Sequence, residues 1–304
     1  MFGPAAVPVP LPPGRGGGKG AGPSDAKGRR LDLATSEIAL LAFLLVVTGG
    51  VAGALAGLLG VGGGIVIVPV LFWVLELLDF PEATAMPIAV GTSLLTIVPT
   101  SIASARAHAA KGNLDRALLR RWAPFVFAGA LAGGLLSFVL SGRDLTLVFG
   151  LVALVVAVNM ALPRAVVLRD GLPPSLAAQG GMGVGIGGFS ALMGIGGGTL
   201  TVPTLSLFAF PTHRAVGTAA AFGLVIAVPA VAGFVLSGWG VAQRPPGSLG
   251  YVNLVAAAII VPCTVLAAPW GARVAHRLPA AELKRAFALF LGITAARMLW
   301  TVWG

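Results

Sequence analysis

Apolar stretches of about 20 residues recur along this chain from about Glu37 to the C-terminus, and charged residues gather in the short gaps between them. A helix of that length crosses roughly 30 Å of hydrocarbon. Of the 304 residues, 57% are hydrophobic and 10% are charged, whereas soluble domains are about a quarter charged. The sequence therefore predicts an all-α polytopic membrane protein and excludes an ordinary globular enzyme.

Ten apolar segments are predicted, and the second and seventh are too short for a full span. Each of these two follows a glycine run, so a short or broken helix is expected there. The segments cover approximately residues 37–59, 64–79, 84–110, 118–141, 145–162, 174–194, 198–210, 213–238, 249–273 and 281–302.

The membrane part is preceded by a segment rich in Gly, Pro, Lys and Arg. It has too little apolar content to fold, so a disordered tail is predicted at residues 1–36. The rest of the chain is expected to form a first membrane repeat at 37–163, a connecting loop at 164–173 and a second membrane repeat at 174–304.

The two halves share a glycine-triplet-then-proline motif. Gly60-Val-Gly-Gly-Gly-Ile-Val-Ile-Val-Pro69-Val-Leu71 aligns with Gly194-Ile-Gly-Gly-Gly-Thr-Leu-Thr-Val-Pro203-Thr-Leu205, and further matches are Phe80-Pro81 with Phe210-Pro211, Ala89–Thr92 with Ala215–Thr218, and Gly112 with Gly238. Each half thus holds five segments, and an odd number predicts that the second copy is inserted upside down. This is the inverted-repeat architecture of many secondary transporters.

Loop charges test the inversion, because cytoplasmic loops are enriched in Lys and Arg. The loop after the third segment is basic, whereas its counterpart after the eighth carries Arg244 alone; the loop after the ninth is basic, whereas its counterpart after the fourth carries Arg143 beside Asp144. The basic loops fall on one side, predicted to be cytoplasmic with both termini outside, although the basic tail favours the opposite orientation. Their residues are Lys111, Arg116, Arg120, Arg121, Arg273, Arg277, Lys284 and Arg285.

The two glycine triplets are the first candidate binding residues. Three glycines in a row weaken a helix by roughly 1 kcal/mol each and expose backbone groups that lipid cannot satisfy. Pro69 and Pro203 add a helix break, since proline leaves an upstream carbonyl without its donor. The amides that start the next half-helix favour an anion. The alternative role is close helix packing. The predicted residues are Gly62, Gly63, Gly64, Gly196, Gly197 and Gly198.

Hydroxyls and one cation complete the predicted site. Thr92, Ser93 and Thr218 are polar positions in apolar helices, where a hydroxyl donates either to an anion or back to a carbonyl. Thr199 directly follows the second triplet. Arg106 is the preferred electrostatic partner because a guanidinium matches a sulfonate or carboxylate, and snorkelling towards lipid phosphate is its alternative.

Several other chemistries are not supported. Three scattered histidines and one cysteine offer no metal-ligand cluster, and the glycine runs lack the Lys-Ser/Thr ending of a phosphate-binding loop. The net charge of +10 comes from residues at membrane boundaries rather than from a nucleic-acid-binding face. We expect no catalytic residues, no cofactor, no metal and no nucleic-acid partner.

At these motifs the chain resembles the sulfite exporter TauE/SafE family of membrane permeases. The resemblance covers roughly residues 38–302, although Ala219 replaces in the second half the serine present as Ser93 in the first. The residues that carry it are Gly57–Pro69, Gly194–Pro203, Ala89–Ser93, Arg106-Ala-His108 and Lys111-Gly-Asn113.

The resemblance implies a multi-pass inner-membrane transporter for sulfite, sulfoacetate or another small organosulfonate, which it would export by alternating access around a midplane site. Membrane lipid is the other expected partner, and coupling to a proton or ion and a homo-oligomeric state are left open. The alternatives are a non-transporting membrane scaffold or assembly factor, and an anion channel.

Overall fold

The computed structural model describes residues 35–59, 63–162, 167–275 and 280–303. The chain divides into two compact units, Met1–Leu40 and Leu41–Gly304. Of the first unit, residues 35–40 are described, and they begin the first helix. The predicted disordered tail at 1–36 therefore lies, except for its last two residues, outside the described part of the chain.

Each of the ten predicted apolar segments contains a helix, and most of the ends differ from the prediction by a few residues. The helices are α1 (Thr35–Leu59), α2 (Gly64–Leu77), α3 (Glu82–Ala110), α4 (Arg116–Leu136), α5 (Gly142–Ala161), α6 (Leu176–Met193), α7 (Gly198–Ser206), α8 (Thr212–Ser237), α9 (Leu254–Ala275) and α10 (Ala280–Trp303). A two-residue antiparallel hairpin, β1 (Ser248–Leu249) and β2 (Val252–Asn253), precedes α9. The all-α prediction is confirmed.

Six of the described helices are long and apolar enough to cross a membrane, namely α3, α5, α6, α8, α9 and α10. By contrast, α2 has 14 residues and α7 has 9. At about 1.5 Å per residue, both fall short of the roughly 30 Å hydrocarbon layer. These two short helices are the ones that follow the glycine triplets.

The short helices lead into the core helices through similar turns. In the first, Asp79 has a φ of 59° and Pro81 is the N-cap of α3; in the second, Ala209 has a φ of 53° and Pro211 is the N-cap of α8. Proline suits a helix start because it has no amide hydrogen to satisfy there. The local sequence match between the halves is thus accompanied by a local match in backbone geometry.

The helices α3 and α8 pack against each other, and α8 also packs against α4. Around them α4 packs on α6, and α5 packs on α10. Small residues allow this close approach: an added Cβ at Gly134 would lie 3.0 Å from the Cα of Ala230 on α8. Such contacts between small residues are typical of membrane helices, which gain little from the hydrophobic effect within lipid.

Candidate functional site

The described glycines of each triplet lie at the start of a short helix. Between α6 and α7 the chain turns at Gly194, whose φ of 65° is one that glycine adopts without strain. Gly197 is then the N-cap of α7, as Gly63 is the N-cap of α2. Gly62 lies outside the described residues. Pro69 and Pro203, the predicted helix-break residues, lie inside α2 and α7.

Gly63 of the first triplet and all three glycines of the second line one cavity of about 410 Å³ in the described part of the chain. This volume lies within the range of about 300–1,000 Å³ that is usual for small-molecule sites. The glycines in its wall are Gly63 and Gly196–Gly198, and the other polar or small residues that face it include Ala56 on α1, Thr100, Ser101, Ser104 and His108 on α3, Ala219 and Ala220 on α8, and Thr264 and Pro269 on α9.

His108 is the one titratable side chain among the described residues that line this cavity. Its Nδ1 atom is buried and has no hydrogen-bond partner in the described part of the chain. By contrast, the hydroxyl of Thr100 donates to the carbonyl of Thr96 at 2.9 Å, and that of Thr264 donates to the carbonyl of Ile260 at 2.8 Å. A small, mostly apolar wall with a few polar groups is the usual form of a binding site.

The glycines of the triplets differ in the space around them. A Cβ at Gly197 would overlap the carbonyl of Ala219 and lie 2.8 Å from the amide nitrogen of Gly223. A Cβ at Gly196 would have its nearest neighbour at 3.7 Å, on Ile97. Gly197 is therefore required by packing, whereas Gly196 leaves open space at the cavity.

The predicted hydroxyls at Thr92, Ser93 and Thr218 are fully buried and do not line the cavity. The Thr92 hydroxyl accepts from the amide of Asn253 at 2.9 Å, and the Thr218 hydroxyl accepts from the amide of Asp115 at 3.0 Å. Ser93 donates to the carbonyl of Gly194 at 2.7 Å. All three thus hold backbone from the other half of the chain.

The structure also separates two other predicted residues from the cavity wall. Thr199 is buried on α7 but is not among the lining residues, and Arg106 is exposed on α3. Gly64, the last glycine of its triplet, is buried with its Cα facing the carbonyl of Gly194; an added Cβ there would also lie 3.1 Å from the Ser93 hydroxyl. In the described residues, no three His, Cys, Asp or Glu side chains are grouped so as to hold a metal ion.

Comparison with known proteins gives the family. A family model described as sulfite exporter TauE/SafE matches residues 45–298. The chain belongs to the sulfite exporter TauE/SafE family. The resemblance predicted from the sequence is confirmed, and this TauE/SafE protein is a multi-pass membrane transporter.

Relatives of this TauE/SafE protein include a probable membrane transporter protein of Haemophilus influenzae, 35% identical over 84% of this chain and 97% of the relative. A probable membrane transporter protein of Methanocaldococcus jannaschii is 26% identical over 86% of this chain and 97% of the relative. One from Bacillus subtilis is 29% identical over 58% of this chain and 71% of the relative. No solved structure matches the chain.

In this TauE/SafE protein, the basic side chain that lines the cavity with the triplets is His108 and not the predicted Arg106. Helical periodicity in the sequence could have indicated His108 as a cavity residue. Ser101, Ser104 and His108 recur at intervals of three and four residues and so share one face of α3. A residue two positions from His108 points to nearly the opposite side of the helix.

Proposed function

We propose that this protein is a secondary transporter of a small sulfur-containing anion, such as sulfite, sulfoacetate or another organosulfonate, and that it exports this anion without catalytic chemistry. The observation that carries the proposal is the shared cavity: residues of both glycine triplets, Gly63 and Gly196–Gly198, line the same space. A packing role for the triplets alone would not require a cavity between them.

Charge at the cavity favours an anion. The helices α2 and α7 both start at the wall, and the unpaired amides and dipole of a helix N-terminus favour negative charge. None of the described lining residues is acidic. We infer that the His108 imidazole donates a hydrogen bond to the anion, in the place that the sequence had assigned to Arg106.

The hydroxyls assigned to substrate binding from the sequence take a different role in this proposal. Thr92, Ser93 and Thr218 hold the backbone around the cavity, since each is bonded to backbone of the other half. Thr199, next to the second triplet, is buried at the start of α7.

Repeated contacts support the inverted-repeat architecture in this proposal. Extending the alignment of the triplets backwards pairs Gly53 on α1 with Gly187 on α6. A Cβ at Gly53 would lie 2.5 Å from the carbonyl of Thr264 on α9, and a Cβ at Gly187 would overlap the carbonyl of Val126 on α4. With α4 and α9 aligned on Asp115 and Asn253, the contacts of Gly49 with Cys263 and of Ala54 with Gly271 correspond to those of Gly183 with Phe125 and of Gly188 with Gly133.

Each of these contacts joins a helix of one half to a helix of the other. The contacts of α1 with α9 are repeated by those of α6 with α4, so that each half supplies the helix that the other half supplied in the first set. The threonine bonds follow the same rule. Asp115, which accepts from the amide of Leu118 at the start of α4, is bonded to Thr218; Asn253, which accepts from the amide of Ala256 at the start of α9, is bonded to Thr92. A two-fold relation between the halves accounts for both sets, and it is the basis of alternating access in inverted-repeat transporters.

The cavity lies near the end of α3 that is followed by a basic loop, which favours anion entry from that side of the membrane. Its wall extends along α3 from Ile97 to His108, and Lys111 follows directly after α3 ends. If the basic loops are cytoplasmic, as their Lys and Arg content predicts, the described state accepts its anion from the cytoplasm. That direction agrees with export.

The test is uptake by proteoliposomes of sulfite, thiosulfate, sulfoacetate and taurine, each over a range of concentrations. We expect saturable flux of at least one sulfur-containing anion and acceleration by the same anion on the opposite side. Flux that rises without saturation would instead indicate a channel, and absence of flux for every anion would favour a scaffold or assembly factor.

A further inference from the structure

The two-fold relation between the halves defines two equivalent regions, and the cavity lies in one of them. Counting from the aligned Thr92 and Thr218, the cavity-lining residues of α3 have buried counterparts on α8. The pairs with a polar side chain on α3 include Ser101 with Ala227, Ser104 with Ala230, and His108 with Phe234. Ala227, Ala230 and Phe234 are each 0% exposed.

Helix α4 closes the counterpart region. Counting from Asp115 and Asn253, Thr264 in the cavity wall on α9 corresponds to Val126 on α4, which is fully buried. Further along α4, a Cβ at Gly134 would lie 3.0 Å from the Cα of Ala230, and a Cβ at Gly233 would lie 2.6 Å from the carbonyl of Gly134. The helices therefore touch where their counterparts α9 and α3 are separated by the cavity.

One side-chain hydrogen bond links the two helices at the end of this closed contact. The hydroxyl of Ser137, the C-cap of α4, donates to the hydroxyl of Ser237 on α8 at 2.7 Å. Elsewhere along the described contact, glycine and alanine backbones approach closely at Gly134 and Gly233, and the rings of Trp122 and Phe222 stack with their centroids 6.4 Å apart. Separating α4 from α8 at this end therefore breaks few polar interactions, whereas the start of α4 is held to α8 by bonds from Asp115 to Thr218 and Arg214.

Ser190 on α6 is the independent sign of a second ligand-accessible surface. Its side chain is 0% exposed, and its hydroxyl has no hydrogen-bond partner in the described part of the chain. A buried hydroxyl without a partner costs free energy. Its counterpart in the alignment of the triplets is Ala56, which lines the open cavity. Ser190 thus lies where the wall of an equivalent cavity would be.

We propose that the protein forms a second, mutually exclusive cavity between α4, α6 and α8, open to the opposite face, and that the Ser190 hydroxyl lines it and meets the anion there. This inference rests on the proposed function and deepens it. When α4 leaves α8, Ser190, Val126 and Ala227 become the wall, and closure of α9 on α3 removes the first cavity.

The two cavities differ in how well they hold an anion. The open one presents His108, Ser101 and Ser104, whereas the corresponding residues of the second are Phe234, Ala227 and Ala230. An anion therefore loses the imidazole and the two hydroxyls as hydrogen-bond donors on passing to the second side and is released more readily there. The Ser190 hydroxyl is the group proposed to hydrogen-bond the anion in the second cavity.

The experiment uses thiol accessibility in membrane vesicles of both orientations. Cys263, the single cysteine of the sequence, is first replaced by alanine. Ser190→Cys changes one atom, and its matched control is the counterpart Ala56→Cys. A membrane-impermeant thiol reagent is applied from each face, with sulfoacetate as the probe anion, and uptake is measured on the same vesicles.

We expect Ala56→Cys to be modified from one face and Ser190→Cys from the other. Since a minor conformation is typically populated at about 0.1–10%, Ser190→Cys should react about ten- to a thousandfold more slowly than Ala56→Cys. Modification of Ser190→Cys from neither face, or from the same face as Ala56→Cys, would overturn the proposal.

A second matched pair guards against a local packing defect. Val126→Cys does not enlarge its side chain, and Thr264→Cys is its counterpart at the open cavity. The same opposite-face pattern is expected, and its absence in this pair too would count against the second cavity. Labelling decides this inference whatever the uptake result, whereas failure of the parent protein to take up any of the four sulfur compounds contradicts the proposed function instead.

Discussion

The hydroxyl of Thr92 on α3 accepts a hydrogen bond of 2.9 Å from the backbone amide of Asn253, which lies 161 residues further along the chain. Its counterpart Thr218 on α8 accepts one of 3.0 Å from the amide of Asp115. Each threonine therefore fixes the start of a helix from the other half, α9 in one case and α4 in the other. These two bonds connect the core helices to the helices proposed to open and close the two cavities.

Replacing Thr92 by valine keeps the side-chain shape and removes the acceptor for the amide of Asn253. A buried amide left without a partner costs about 1–3 kcal/mol, so the free energy of unfolding should fall by that amount. Thermal unfolding in detergent measures the change. Thr92→Ser, which keeps the hydroxyl, is the matched control; equal stability of Thr92→Val and the parent would show that the bond does not contribute.

The two basic side chains His108 and Arg106 on α3 should differ in their effect on anion binding. Hydrogen bonds to charged groups contribute about 1.5–3 kcal/mol, so His108→Gln should weaken binding of the transported anion about ten- to hundredfold. Arg106→Gln, two residues away on the exposed side, should leave the Kd within about twofold, because an exposed charge acts weakly through solvent. The Kd measured on purified protein provides the check. A larger loss for Arg106→Gln would restore the sequence-based assignment.

Neighbouring glycines of the second triplet should respond oppositely to alanine. At Gly197 the new methyl group overlaps the carbonyl of Ala219, and overpacking of this kind costs about 1–3 kcal/mol. At Gly196 the nearest atom is 3.7 Å away on Ile97, so the same change should leave the unfolding temperature near that of the parent. A similar loss of stability in both variants would contradict the packing described for the triplet.

The contact between α4 and α6 predicts a further pair of alanine variants. Gly187→Ala forces a methyl group against the carbonyl of Val126 and to 2.8 Å from the amide nitrogen of Ala130, and should destabilise the protein by about 1–3 kcal/mol. Gly185→Ala, on the same helix with no atom within 4 Å of the added Cβ, should instead gain roughly 0.5–1 kcal/mol from helix propensity. Unfolding midpoints in detergent compare the two. A stable Gly187→Ala variant would mean that these helices are further apart than described.

Much of the fold followed from the sequence because apolar length and glycine runs act locally. The ten segments, the two short helices and the breaks at Gly63 and Gly197 all depend on nearby residues, and the structure has them. The resemblance to the TauE/SafE family rested on the same short motifs. Inversion of the halves stays a proposal that the repeated contacts support.

The site was harder to predict because its composition depends on side-chain direction. Thr92 and Thr218 looked equally able to bind an anion or a backbone group, and the choice is set by the distant amides of Asn253 and Asp115. Arg106 was preferred for its guanidinium, but His108 lines the cavity because of the face that α3 turns towards α9. The sequence did not predict Ser190 as a wall residue, because the burial of its hydroxyl without a partner is a property of the three-dimensional structure.

Counterflow of the transported anion in proteoliposomes tests the central claim most directly. The comparison is the parent, Gly196→Leu, which fills the shared cavity, and Gly292→Leu, an α10 position with no atom within 4 Å of the added Cβ. We predict saturable counterflow in the parent and in Gly292→Leu, and its loss in Gly196→Leu with an unchanged unfolding temperature. Counterflow in Gly196→Leu equal to that of the parent would show that the anion does not pass between the two glycine triplets.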